Sequence, residues 1–233
     1  MVASLNVESL TAGYGATTII RDVSLSLEPG QCLAVIGRNG MGKTTLLKAL
    51  LGYLPGARGS IRVNGAEILG MPTHQLVRRG LAYAPQEAAI FANLTVRDNL
   101  AAVRKPSPAA TRRLSWLFEF FPVLADRLDQ KAGTLSGGEQ KMLILTRVLL
   151  PEPSLLLIDE ISDGLQPKMV GTVREVLTQE RRERGTTMLI VEQNIDLSFA
   201  LADRVAVLKL GQVAFDCAPD PAHRPEVLLQ LAP

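Results

Sequence analysis

An eight-residue stretch early in the chain contains the residue types that bind phosphate. Residues 37–44 read GRNGMGKT and match the pattern G-x-x-x-x-G-K-[ST]. Glycines let several backbone N–H groups converge on one anion, and the start of a following helix adds its positive end. Lys43 would neutralise the β- and γ-phosphates of a nucleotide, and Thr44 would coordinate Mg²⁺. The alternative is an ordinary glycine-rich turn.

Two carboxylates follow an apolar run in the second half of the chain. Residues 155–158 read LLLI, and Asp159 and Glu160 come next. In phosphoryl transfer one carboxylate holds the metal ion, and another orients or deprotonates the attacking water. Alone, such a run is usually just the end of a strand. With the phosphate loop upstream, it predicts Asp159 as a metal ligand and Glu160 as a catalytic residue.

A third motif, LSGGEQ at residues 135–140, contains two adjacent glycines at a predicted helix start. Ser136 as N-cap and Glu139 three residues later predict a capping box. Capping does not explain Gly137 and Gly138, because each glycine costs up to ~1 kcal/mol of helix propensity. Bare backbone at a helix start does suit close approach to a phosphate.

Three continuously apolar runs predict the strands that position these motifs: residues 32–36, 155–158 and 188–191. Such runs are typical of a parallel sheet that is covered on both faces. In an open α/β sheet, ligands bind at the carboxyl ends of the strands. The phosphate loop, Asp159 and Glu160 are therefore expected at one edge of a mostly parallel sheet.

The remaining segments predict further elements around that sheet. Residues 5–8 and 23–27 alternate between apolar and polar, as half-buried strands do, and residues 61–65 end in an Asn-Gly turn. Gly52 closes the helix that follows the phosphate loop. The region from about 95 to 128 reads as helical.

Composition narrows the class of protein. The 233 residues are 47% hydrophobic, which is ample for a core, and the net charge of +2 argues against a protein that coats nucleic acid. Cys32 and Cys217 cannot form a disulfide framework and lack zinc-site spacing. Neither a signal peptide nor a membrane span is expected from the sequence.

The three motifs together resemble the ATP-binding-cassette (ABC) ATPases, and the resemblance covers nearly the whole chain. It implies an α/β P-loop NTPase with a mostly parallel core sheet, an N-terminal antiparallel β subdomain and a helical signature subdomain. The implied boundaries are one ATPase domain over residues 1–233, a helical subdomain over 88–150 and a short C-terminal appendage over 217–233.

The resemblance also implies roles for individual residues. In this family ATP lies between the phosphate loop of one subunit and the signature motif of the other, so Ser136, Gly137 and Gly138 would bind the partner's nucleotide. Tyr14 matches the aromatic residue that stacks on adenine, and Gln86 matches a glutamine that contacts Mg²⁺. The chain's own nucleotide would be bound by the loop and the start of its helix, through Gly37, Asn39, Gly40, Gly42, Lys43, Thr44 and Thr45.

Three positions depart from the family pattern. Ile161 replaces a usual proline, Gln166 replaces a common aspartate, and Gln193 stands where most members have a histidine that touches the γ-phosphate. Gln193 can donate a hydrogen bond but cannot carry a proton. General-base work would therefore fall on Glu160, with Gln193 as a second catalytic residue. Both histidines of the chain are expected at the surface.

Residues 191–194, which read VEQN, and residues 202–204, which read ADR, are similar to one ATPase of the branched-chain amino-acid importers. The resemblance implies ATP and Mg²⁺ as cofactors and transmembrane permease subunits as partners. It also implies a second ATPase subunit, with a heterodimer favoured, and an external solute-binding protein reached only indirectly. The expected location is the cytoplasmic face of a bacterial inner membrane.

Alternative functions stay open at this point. The transported solute could be a related one, such as an amide or urea. A non-transport ABC protein acting on ribosomes or DNA usually carries two cassettes or long insertions, which the sequence lacks. A subunit that binds ATP but scarcely hydrolyses it is suggested by Gln166 and Gln193 and opposed by Glu160.

Overall fold

The computed structural model describes residues 2–86, 90–104 and 107–232, which form two β-sheets with helices packed around them. The strands are β1 (Leu5–Tyr14), β2 (Thr17–Leu27), β3 (Cys32–Ile36), β4 (Arg58–Val63), β5 (Ala66–Glu67), β6 (Leu81–Ala84), β7 (Leu155–Asp159), β8 (Thr187–Glu192), β9 (Arg204–Lys209) and β10 (Gln212–Cys217). The α-helices are α1 (Lys43–Leu50), α2 (Thr73–Arg78), α3 (Val96–Ala101), α4 (Pro108–Phe120), α5 (Pro122–Asp126), α6 (Gly137–Leu149), α7 (Pro167–Arg184), α8 (Ile195–Leu201) and α9 (Arg224–Leu231).

The larger sheet has the strand order β10-β9-β3-β8-β7-β6. Its neighbouring strands are parallel except for the edge pair β9 and β10, which is antiparallel. The register pairs Ile36 with Glu192 and Asp159 with Val191, so β3, β7 and β8 end at the same edge. The prediction of a mostly parallel core sheet is therefore confirmed.

The smaller sheet is antiparallel and has the order β2-β1-β4-β5. In β1, Leu5 and Val7 are buried whereas Glu8 is exposed, which is the predicted alternation of a sheet with one covered face. Asn64 and Gly65 join β4 to β5, and both have positive φ angles, as two-residue hairpin turns require. The predicted antiparallel subdomain is present.

Helices α3 to α5 occupy the region from about 95 to 128 that was predicted to be helical, and α6 follows it. One buried ion pair ties this region to α7: Arg113 Nη2 lies 2.5 Å from Glu180 Oε2, and both side chains are almost completely buried. Arg113 also donates to the Leu149 carbonyl, and Thr186 donates to the other oxygen of Glu180. Such bonds are what make a buried ion pair tolerable.

The two predicted subdivisions stay predictions. Residue 88, the predicted start of the helical subdomain, lies outside the described residues, as does residue 233 at the end of the predicted appendage. Within that appendage, Val227 of α9 is fully buried and belongs to the same apolar cluster as Leu156 and Ile190. Across the described ranges, no helix is both long and apolar enough to cross a membrane.

Candidate active site

The phosphate loop connects β3 to α1, and its glycines are required for different reasons. Gly40 and Gly42 have φ angles of 81° and 101°, a left-handed conformation that glycine adopts without penalty. A Cβ atom at Gly37 would lie 2.5 Å from the Leu208 carbonyl oxygen, and one at Gly42 would lie 2.9 Å from the Ile20 side chain. The loop therefore has little room for substitution.

A cavity of about 470 Å³ opens beside this loop. Most of the residues predicted to bind nucleotide line it, together with one residue that was not predicted. The lining consists of Tyr14, Ile19, Asn39, Gly40, Gly42, Lys43, Thr44, Thr45, Gln86 and Glu160. Gly37 instead lies against β9, where it allows the loop to pack on the core sheet.

Lys43 and Glu160 form a buried ion pair at the base of the cavity. Lys43 Nζ lies 3.0 Å from Glu160 Oε1 and donates to the Arg38 carbonyl at 3.0 Å. Only 4% of the lysine side chain and 6% of the glutamate side chain are exposed. The ammonium group that would meet the phosphates is therefore neutralised by the predicted catalytic carboxylate.

The second oxygen of Glu160 is also held. Oε2 accepts hydrogen bonds from Gln193 Nε2 at 2.8 Å and from Gln86 Nε2 at 3.1 Å. Gln86 Nε2 also lies 3.4 Å from a carboxylate oxygen of Asp163. Two predicted site residues from separate loops thus converge on Glu160, which has little freedom in this arrangement.

Asp159 accepts one hydroxyl on each of its carboxylate oxygens. Thr44 Oγ1 lies 3.3 Å from Oδ1, and the Tyr83 hydroxyl lies 3.2 Å from Oδ2. Burial raises the pKa of Asp159, while the two hydrogen bonds act in the opposite direction. Thr44 and Asp159 present hydroxyl and carboxylate oxygens, which fit Mg²⁺, whereas the amide nitrogen of Gln86 is directed at Glu160 and Asp163.

The turn after Glu160 is held by Glu192, which was not predicted to be a site residue. Glu160 has a φ of 45°, an unusual conformation for a residue with a side chain. Both oxygens of buried Glu192 hold Ser162, accepting its backbone N–H at 3.0 Å and its hydroxyl at 2.7 Å. Burial raises the pKa of Glu192, and the bonds from Ser162 oppose that rise. The only sequence signal was an acid at the end of an apolar run.

The signature segment lies at the start of α6 and forms the predicted capping box. Ser136 Oγ accepts the Glu139 N–H at 3.4 Å, and Glu139 Oε2 accepts the Ser136 N–H at 2.9 Å. Beyond its chain neighbours and its own helix backbone, no described atom lies within 4 Å of a Cβ placed on Gly137, whereas a Cβ on Gly138 would lie 2.3 Å from Met169 Cε. Gly138 packs against Met169, whose flexible end would have to move to admit a side chain there, and Gly137 is exposed to solvent.

The structure does not bring the signature segment to the cavity beside Lys43. None of Ser136, Gly137 and Gly138 is among the described residues that line it. Lys141, one turn further along α6, donates instead to the carbonyl oxygens of Glu160, at 3.4 Å, and Asp163. Lys141 thus links α6 to the loop that follows β7, while Ser136 and Gly137 at the start of the helix are exposed.

The surface position that was expected for both histidines is confirmed. His74 and His223 are exposed, so neither takes the place of the histidine that Gln193 replaces. Cys32 is fully buried, and burial raises its pKa to about 12. Tyr14 is 47% exposed, and Lys48 Nζ lies 5.6 Å from the centre of its ring.

Known proteins are similar to this chain in sequence and in fold. The ABC transporter family model matches residues 20–163. The high-affinity branched-chain amino acid transport ATP-binding protein BraG of Pseudomonas aeruginosa is 39% identical over 211 residues, which is 90% of each chain. The probable branched-chain amino acid transport ATP-binding protein LivF of Archaeoglobus fulgidus is 36% identical over 214 residues, or 91% of each.

One solved structure, described as the ATP binding subunit of an ABC transporter, superimposes with a TM-score of 0.85 at 26% identity. The match covers 97% of this chain and 98% of that one. The cassette fold, the phosphate loop and the matching family model agree, and this chain belongs to the ABC transporter family as an ATP-binding subunit with ATPase activity.

Proposed function

We propose that this chain is the ATPase subunit of an importer for branched-chain or similar amino acids. The observation that carries the proposal is 39% identity to BraG over 90% of the chain. An ATPase subunit of an importer need not touch the solute, so none of the residues behind this similarity identifies the solute directly. The solute class is therefore inferred from the relative and must be measured.

ATP binding begins, in this proposal, with an exchange of partners at Lys43. The lysine leaves Glu160 Oε1 for the β- and γ-phosphates, while the loop N–H groups and the helix start hold the remaining phosphate oxygens. Tyr14 stacks on the adenine at the rim of the cavity. The exchange makes room for nucleotide and releases the carboxylate that hydrolysis needs.

Glu160 then acts on the attacking water. Oε1 accepts a proton from the water as its oxygen bonds to the γ-phosphorus and the bond to the leaving ADP oxygen breaks. Gln193 and Gln86 hold Oε2 and so orient the carboxylate. Thr44 and Asp159 would hold Mg²⁺, which neutralises phosphate charge when bound.

A second ATPase subunit would supply the other face of the nucleotide. Ser136 and Gly137 are exposed and belong to the start of a helix, where N–H groups favour phosphate. We propose that they bind the partner's nucleotide and that the partner is a different chain, because Gln166 and Gln193 reduce the charge at this site. Permease subunits would hold the pair at the cytoplasmic face of the inner membrane.

An uptake experiment in cells tests the solute. A strain without this gene is expected to lose uptake of radiolabelled leucine and valine, with recovery by the wild-type gene and none by Lys43→Ala. Normal leucine and valine uptake with lost uptake of urea or an amide would assign a related solute instead. Co-purification from a mild-detergent extract should yield two permeases and a second ATPase, and ribosomes in their place would overturn the transport role.

A further inference from the structure

The carboxylate of Asp159 is held from two separate elements of the fold. Thr44, at the start of α1, donates to Oδ1, and Tyr83, on the edge strand β6, donates to Oδ2. Only 1% of Asp159 is exposed, so its orientation depends on these protein contacts more than on water. Tyr83 was not among the predicted site residues.

The two hydroxyls are not equivalent. Thr44 lines the cavity, where its hydroxyl can donate its hydrogen to Asp159 and still offer a lone pair to a cation. Tyr83 is not among the described residues that line the cavity. Its contact with Oδ2 can therefore persist when Thr44 and Oδ1 meet a cation in the cavity.

The position of Tyr83 is fixed by the sheet. Its backbone pairs with Leu157 in the parallel ladder between β6 and β7, two residues before Asp159. Its ring packs against the apolar cluster on one face of the core sheet, which contains Leu81 and Leu155. Because its backbone and its ring are both held, the Tyr83 hydroxyl lies at a defined point against the carboxylate of Asp159.

We propose that Tyr83 is a positioning residue for the divalent cation: by holding Oδ2 of Asp159 it keeps Oδ1 directed toward Thr44. The inference rests on the proposed function, in which Thr44 and Asp159 hold Mg²⁺. Residues that orient a metal ligand typically change metal affinity by roughly 10- to 100-fold when lost. The chemistry concerned is a hard divalent cation bound through oxygen.

The test is Tyr83→Phe, which removes only the hydroxyl, measured by binding of a fluorescent non-hydrolysable ATP analogue. Affinity is determined in EDTA and across a Mg²⁺ titration. The variant should bind as wild type in EDTA and need roughly 10-fold more Mg²⁺ for half-saturation. Tyr53→Phe, an exposed tyrosine outside the site, should match wild type in both conditions.

Asp159→Asn separates this inference from the proposed metal site. If Asp159→Asn needs more Mg²⁺ and Tyr83→Phe does not, the role of Tyr83 is overturned and the metal site stands. If Asp159→Asn responds to Mg²⁺ as wild type does, the metal site itself is wrong, and the inference falls with it. Weaker binding by Tyr83→Phe in EDTA, or a lower melting temperature, would make the hydroxyl a general structural contact and also overturn the proposal.

Discussion

The phosphate-loop region, around residues 37–44, and the signature region, at the start of α6, differ in how far their polar groups are bonded within the chain. Around the phosphate loop, charges meet internal partners: Lys43 pairs with Glu160, and Asp159 accepts two hydroxyls. At the start of α6, Ser136 and Gly137 are exposed, and their internal bonds only complete the helix cap. The polar groups of the phosphate-loop region are bonded within the chain, whereas backbone groups of the signature region are exposed to solvent.

This difference indicates how nucleotide binding could change the contacts within the site. In the proposed function, nucleotide competes with an existing ion pair between two nearly buried groups, so we expect its binding to rearrange Glu160. In the signature region the ion pair is the more exposed one of Arg127 with Glu139, whose carboxylate also accepts the Ser136 N–H, and Gly137 is exposed. Two variants of the phosphate-loop region and two variants of the signature region test this difference.

The largest effect is expected for Lys43→Ala. The change removes the charge that would meet the phosphates and leaves Glu160 buried without its cation. Affinity for ATP, measured by calorimetry on the purified subunit, should fall by roughly 100-fold or more, as for loss of a strong charged hydrogen bond. Lys168→Ala, which removes an exposed lysine on α7, is the matched control and should bind normally. ATP affinity equal to wild type in Lys43→Ala would contradict the loop assignment.

Glu160→Gln should separate binding from hydrolysis. The amide still fits between Gln86 and Gln193, but it cannot take a proton from water and no longer pairs with Lys43. Turnover should fall by roughly 100-fold or more, while ATP affinity should rise because the competing ion pair is gone. Steady-state phosphate release and ATP-driven dimerisation on a sizing column measure the two effects.

An exposed acid serves as the control for that variant. Glu175→Gln on α7 changes the same chemical group at the surface and should leave turnover unchanged. Tighter ATP binding in Glu160→Gln would support competition for Lys43. Turnover equal to wild type would show that another group positions the water.

Gly137→Ala is the sharpest probe of the signature region. A Cβ there meets no described atom within 4 Å other than those of its chain neighbours and its own helix backbone, so the isolated subunit should fold and bind ATP within about twofold of wild type. Close approach of a partner's phosphate would be blocked, and ATP-driven dimerisation should weaken by roughly 10-fold, an effect of about 1.4 kcal/mol. Gly171→Ala, on α7 and equally open, is the matched control. Unimpaired dimerisation would remove Gly137 from the proposed interface.

The strands and the phosphate loop could be predicted because their signals are local. The apolar run at residues 32–36 has the same bounds as β3. The other two apolar runs match β7 and β8 to within one residue at each end. Buried parallel strands read as apolar runs since both of their faces are covered. The capping box at Ser136 follows from the same short-range logic.

The contacts that complete the site could not be predicted in this way. Tyr83 reaches Asp159 only because β6 pairs with β7 in one particular register, and Glu192 holds Ser162 across two loops. The proximity of Gly138 to Met169 was also not predictable from the sequence, which suggested only a phosphate contact for this glycine. These contacts join residues far apart in the chain, and spacing within a motif does not determine them.

The smallest effect is expected at the helix cap, for Glu139→Gln. The backbone N–H of Ser136 holds the pKa of Glu139 below its usual value of 4.5, as does nearby Arg127 to a lesser degree. A carboxyl whose pKa is lower in the folded state stabilises the fold above the unfolded pKa and loses that contribution as the pH falls through the folded value. The wild type should therefore exceed Glu139→Gln by about 0.5 kcal/mol in urea unfolding at pH 7, and the gap should close below pH 4.5. Glu119→Gln, an exposed acid on α4, should show no such gap. A gap that persists at pH 3 would mean that the carboxylate is not what caps the signature helix, and that its exposed backbone is held by something else.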